Sequence, residues 1–279
     1  MKKKLFKKKF LSVALALVLS LTFAATSYAH GYTYWTSNTK IGVGHFAYGE
    51  TAGDSDSGTN YSLVQRFNYH NNLFLLTLRG SFGYAPATYT GATQGGISTT
   101  GTVHYSLNNF SAGAGIDPRL MNGLMQNELY LSLGDMTHDF MAAGSSFSNG
   151  ATGYDESYQV KYLSLTYKNI YAFTPKVSNV FKLEYLDGFN GTATTKGLQG
   201  LTIDGYPTGN NLEFNLSGEN GYTVAEGARY RLTDNLSLVG DVYYSSLFFK
   251  HSNDADDVFY ELSSMTHQYG VQVGVHYAF

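Results

Sequence analysis

The thirteen residues from His267 to Phe279 alternate almost without fault. Tyr269, Val271, Val273, Val275, Tyr277 and Phe279 fall on one side, and Gln268, Gly270, Gln272, Gly274, His276 and Ala278 on the other. A side-chain period of two belongs to an extended strand. One face is wholly apolar, so this strand separates an apolar medium from a wetter interior. After residue 29 no window carries a convincing helical stripe.

The chain ends on Gln272-x-Gly274-x-x-Tyr277-x-Phe279. This pattern resembles the C-terminal assembly signal of bacterial outer-membrane β-barrel proteins. The resemblance implies the outer membrane of a Gram-negative cell, the outer-membrane assembly machinery as a partner, and outer-membrane lipid and lipopolysaccharide as surroundings. The other end agrees. Lys2–Lys4 and Lys7–Lys9 form a cationic stretch, Leu11–Ala25 an apolar one, and Ser27-Tyr28-Ala29 places small residues before His30. That order is expected of a secretory signal peptide over residues 1–29, with 30–279 as the mature barrel. The apolar run falls short of the ~20 residues that a spanning helix needs.

The leader holds six of the 18 basic residues and none of the 21 acidic ones, so 30–279 carries 12 against 21, a formal net charge of −9. That argues against a nucleic-acid partner, which would need a basic face. With no cysteine there is neither a disulfide nor a thiolate site. Only 14% of residues are charged, below the ~25% of soluble domains. The 24 tyrosines and 18 phenylalanines match the needs of interfacial girdles.

Parity then counts strands. Tyr61, Leu63, Phe67 and Tyr69 share a face, as do Phe74, Leu76, Leu78, Phe82 and Tyr84. Further segments follow at 103–107, 110–116, 163–173 and 181–185, and Leu212, Phe214, Leu216, Tyr222, Val224, Ala228, Tyr230 and Leu232 read as one outer face. The first strand, around Lys40–Tyr48, has no cleanly apolar side. Short turns are expected near 70–72, 108–109, 174–178 and 233–235. Long segments remain at 49–58, 85–96, 136–156, 188–210 and 250–258. With short periplasmic turns and long extracellular loops, the reading closes as an all-β, antiparallel, ten-stranded transmembrane barrel with both termini periplasmic. It requires 110–135 to be one ascending element interrupted near Pro118. The alternative is twelve strands, splitting 110–116 from 129–133 and 212–216 from 222–232.

Candidate chemistry is sparse. His104 and Ser106 lie two apart with Asn108, on a face read as inward, and would suit a nucleophile–base pair. The His104-Tyr105-Ser106 fragment resembles the His-x-Ser of outer-membrane lipid A deacylases, which are shorter chains with the motif near the C-terminus. Asp54-x-Asp56 resembles the aspartate pair of omptin proteases, which are ten-stranded, but their facing Asp-x-His is missing here. Asp54, Asp56, Asp254, Asp256 and Asp257 lie in the first and last outer loops, which closure makes neighbours. Such carboxylates could take Ca²⁺ or Mg²⁺; no other cofactor is implied. Arg66, Arg79, Arg229, Arg231 and Asp241 fall on inward faces with His104, Lys182, Glu184, Glu213, Gln272 and His276. Arg229 is placed diagonal to Asp241, where the two could pair. Glu226 falls on the apolar face of its strand, against the pattern.

The functional expectation is a narrow, porin-like channel for small solutes, with the inward arginines and Asp241 setting selectivity. The alternative is a surface barrel whose outer loops bind a host molecule, lipopolysaccharide or another ligand. A hydrolase is the third reading.

Overall fold

The computed structural model describes residues 33–92, 97–196, 202–203, 206–207, 212–216, 218–252 and 262–279. Ten long strands dominate: β1 (Thr33–Glu50), β2 (Ser55–Asn71), β3 (Phe74–Ala92), β4 (Ser98–Ile116), β5 (Met125–Met141), β6 (Asp155–Ala172), β7 (Val177–Lys196), β8 (Glu219–Arg231), β9 (Leu236–Phe249) and β10 (Ser264–Ala278). Each pairs antiparallel with the next, and β10 pairs with β1 from Thr36↔Ala278 to Glu50↔Ser264. The ring therefore has no free edge, and every strand satisfies its backbone groups within the sheet. The leader segment and Asp254, Asp256 and Asp257 lie outside the described residues.

Turn chemistry fixes one end, hereafter the turn end. Asn72, which tolerates positive φ, sits at 53° between β2 and β3. The β6–β7 and β8–β9 turns share one device. The Thr174 hydroxyl accepts from the N–H of Val177 at 3.0 Å, and that of Thr233 from the N–H of Leu236 at 3.1 Å. β4 reaches β5 through 117–124, where Met121 (φ 53°) and Gly123 (φ 87°) reverse the chain. The opposite, loop end carries the longer connections, including 142–154 between β5 and β6.

The outer surface is banded. Trp35, Phe74, Phe173, Tyr230 and Tyr277 stand outward toward the turn end, and Tyr61, Tyr84, Tyr222 and Tyr269 form a second level. Between them Ile41, Val43, Leu63, Leu78, Leu133, Val242 and Val273 are exposed. An apolar belt between aromatic girdles is the lipid-contact surface of a transmembrane barrel. Strands of up to 20 residues exceed the ~9–11 that a spanning strand needs, and the surplus rises past the second girdle at the loop end.

Two sequence readings of strand layout fail for one reason. Asn108-Asn109 is no turn; it lies inside the unbroken β4. The apolar parity does switch there. Val103 and Tyr105 face inward and are 0% and 1% exposed, whereas Phe110 faces outward and is 53% exposed. The interior changes from apolar to polar along the strand, and that change mimics a turn. Accordingly 110–116 descends as the end of β4, and β5 ascends separately after 117–124. Likewise Phe214 and Leu216 are buried, inward residues. The segment Leu212–Leu216 pairs with the upper part of β7 and β8 with its lower part, so both occupy one strand position and the twelve-strand count is excluded.

Candidate functional site

The interior has three zones. The loop-end zone is packed. Phe46, Tyr48, Ala85, Ala87, Val103, Tyr105 and Ala142 form one buried cluster, and Tyr158, Val160, Ala193, Phe214, Leu216 and Phe249 another. His138 joins them, with ring centroids 5.2 Å from Tyr105 and 6.0 Å from Tyr158. Each large aromatic side chain buried there contributes about 1.5–3 kcal/mol. Together they form a plug across the lumen.

Above the plug, the mouth is acidic and rich in tyrosine. Tyr48 donates to Glu50 at 2.8 Å and Tyr158 to Glu156 at 3.1 Å; Tyr89 donates to Asp54 at 2.8 Å, and Tyr105 donates to Asp56. Burial, reinforced by Glu50 and Asp54, pushes the Asp56 carboxyl up to about 7 despite the Tyr105 hydrogen bond, which lowers it. Burial likewise raises Glu50.

Below the plug lies a cavity of about 240 Å³ lined by charge. Lys40 pairs with Asp241. Arg79 and Lys182 both hold Glu184, at 3.1 and 2.5 Å. Lys168 holds Glu128 at 2.7 Å. Arg66 stands 5.6 Å over the Tyr130 ring and, like Arg229, makes no ion pair among the described residues. A second cavity of about 230 Å³ continues to the turn end, past His70 bonded to Asp117 at 2.7 Å and Arg119 donating to Tyr34 at 2.6 Å.

Arg66, Arg79, Arg229 and Asp241 line the upper cavity, and Arg231 the lower one. Arg229 does face Val239 and Arg231 does face Ser237. The expected Arg229–Asp241 pair is absent, however. Asp241 is taken by Lys40, which reaches it across β10, where Gly274 and Gln272 separate the two strands. Sequence reasoning missed Lys40 and Lys168. The outward parity of Ile41 and Tyr167 would have exposed both as inward neighbours.

Other sites do not assemble. His104 faces outward, its Nδ1 2.9 Å from the Tyr84 hydroxyl, so the inward reading of His104, Ser106 and Asn108 is corrected; its cause is the parity switch in β4. Glu213 also faces outward, opposite Thr194, because its strand neighbour Phe214 points into the core. Asp54 and Asp56 are engaged by Tyr89 and Tyr105, and among the described residues no group of three or more His, Asp or Glu is set to hold a metal. Glu226 does stand on the lipid-facing side, where it accepts from Asn179. In the terminal motif, Gln272 and Gly274 face the lumen, and Tyr277 and Phe279 stack edge to face at 4.9 Å on the outside.

No protein-family model matches the chain, and no curated protein does either. Among solved structures the chain is similar to the outer-membrane protease OmpT of Escherichia coli, with a TM-score of 0.57 and 12% identity over 88% of this chain and 97% of that one. The fold is that of an outer-membrane β-barrel. The translocator domain of the autotransporter NalP from Neisseria meningitidis is also similar, with a TM-score of 0.46 and 12% identity over 98% and 97% of the two chains. At such identities the likeness of this barrel to OmpT concerns architecture alone. His138 is 2% exposed, and neither of its nitrogens has a hydrogen-bond partner among the described residues.

Proposed function

We propose that this protein is a surface barrel of the Gram-negative outer membrane, closed to free diffusion, whose loop-end mouth binds an extracellular ligand. In this reading residues 1–29 are a cleaved leader, residues 30–279 form the barrel, the turn end and both termini are periplasmic, and the loop end meets the outside. The observation that carries it is the plug. Phe46, Tyr105, Tyr158, Val160 and Phe249 are each at most 2% exposed. Packing to that degree among the described residues supports a lumen closed to water in its loop-end half. The half-buried carboxylates Glu50, Asp54 and Glu156 at the mouth suit a cationic ligand, since they supply negative charge at the loop end.

The test is planar-bilayer conductance of refolded residues 30–279, with folding checked by heat-modifiable gel migration. The folded protein is expected to give no conductance steps. Reproducible steps would overturn the closed-lumen reading and favour a narrow channel. That second reading draws support from the cation-rich cavity below the plug, which would favour anions if the plug moved.

A further inference from the structure

We propose that the lumen below the plug is a binding chamber for a small phosphate-type oxyanion, entered from the turn end. The argument begins with charge. Lys40, Arg66, Arg79, Lys168, Lys182 and Arg229 line the upper cavity. Against these six cations stand three carboxylates, Asp241, Glu184 and Glu128, and all three are already engaged in ion pairs. Glu184 serves two cations, and Arg66 and Arg229 form no ion pair among the described residues, so basic groups outnumber carboxylates in this part of the lumen. Arg66 lies within electrostatic reach of Lys40, Lys168 and Lys182 as well as of Glu128 and Glu184, and Arg229 within reach of Lys168 and Glu128. An excess of basic over acidic groups in a low-dielectric interior is expensive, and an anion among these groups relieves it.

Donor geometry agrees. The Nε atoms of Arg79 and Arg229 are buried without a hydrogen-bond partner. Guanidinium groups present forked N–H donors that match the oxygens of phosphate or sulfate. The cavity of about 240 Å³ has room for such an ion with several waters. Access is defined as well. The two cavities share Asn68, Lys168, Arg229 and His276, so the lower one leads through a cationic waist into the upper. The lower cavity reaches the rim at Lys176 and Asn235, in the short turns. The plug closes the other side, which makes the chamber blind.

The site does not depend on ligand binding at the mouth, nor on whether the plug opens. Its test is calorimetric titration of refolded 30–279 with inorganic phosphate, in a maltoside detergent that carries no phosphate headgroup, against sodium chloride of matched ionic strength. Saturable binding of phosphate and not of chloride is expected. Arg66→Gln and Arg229→Gln should each weaken it by about tenfold or more, and Lys161→Gln, on the outer surface, should leave it unchanged. Should either arginine variant fail to fold, the wild type still decides the matter. Phosphate must raise the temperature of its heat-modifiable shift above that in chloride. Equal responses to phosphate and chloride would overturn the proposal, and so would wild-type affinity in both arginine variants.

Discussion

Glu184 sits between the guanidinium of Arg79 and the ammonium of Lys182, with its side chain only 12% exposed. Replacing it by Gln removes the charge and leaves two cations facing one another in the interior. Stability should fall by about 3–5 kcal/mol, as for other broken buried pairs, measured by urea unfolding of the refolded protein. Asp56 provides the opposite kind of residue test. Its folded-state carboxyl titrates at about 7, above the ordinary 3.8. Between those values the folded state holds a proton that the unfolded state has released. Its contribution to stability is therefore full below pH ~4 and is lost as pH rises toward about 7. Asp56→Asn should flatten that slope, compared by urea unfolding at pH 4 and pH 8. A wild type that gains stability across this window through Asp56 would contradict the assignment. At this scale Arg66, Arg79 and Arg229 were legible because each alternates with lipid-facing neighbours. The partner of Asp241 was not, because Lys40 and Asp241 stand on β1 and β9 and meet only through the pairing of both strands with β10.

Between elements, the decisive contact is the seam where β10 meets β1. A Cβ on Gly274 would strike the Thr39 carbonyl oxygen and, at 2.7 Å, the Lys40 Cα. Both are backbone atoms and cannot yield as a flexible side chain would. Gly274→Val should therefore prevent closure, with loss of the compact heat-modifiable band and of protease resistance. A variant that still closes with wild-type yield would refute the steric argument. Strand existence and most turns could be read from the chain, because Asn72, Thr174 and Thr233 carry local signals that act within a few residues. The β4 error has the reverse character. Whether Tyr105 or Phe110 faces inward depends on what fills the lumen at each height, and that filling comes from β1, β6 and β9, far away in sequence. The same cause displaced Phe214 and Leu216, and it left Lys40–Tyr48 without a clean face.

For the molecule as a whole, the plug predicts how conductance responds to packing. Phe46→Ala/Tyr105→Ala/Phe249→Ala removes three large side chains from the loop-end core. Such truncations cost roughly 3–5 kcal/mol each, but the closed sheet of ten strands retains its hydrogen bonds. The triple variant should fold and pass current where the parent does not, read in planar bilayers. A folded triple variant that stays silent would place the barrier elsewhere. The plug also bears on depth. Below the second girdle the barrel is apolar outside and charged within; above it, Ser57, Thr59, Thr102, Gln159 and Lys161 face out while Phe46, Tyr105 and Tyr158 face in. The two halves are inverted copies of one another in polarity, and the level of inversion is a waterline written into the strands. Sliding the barrel downward would bring hydroxyls and charges into lipid, and sliding it upward would bring leucine and valine into water. In bilayers of different thickness this protein should therefore hold its height, and the surrounding lipid should stretch or thin to meet it.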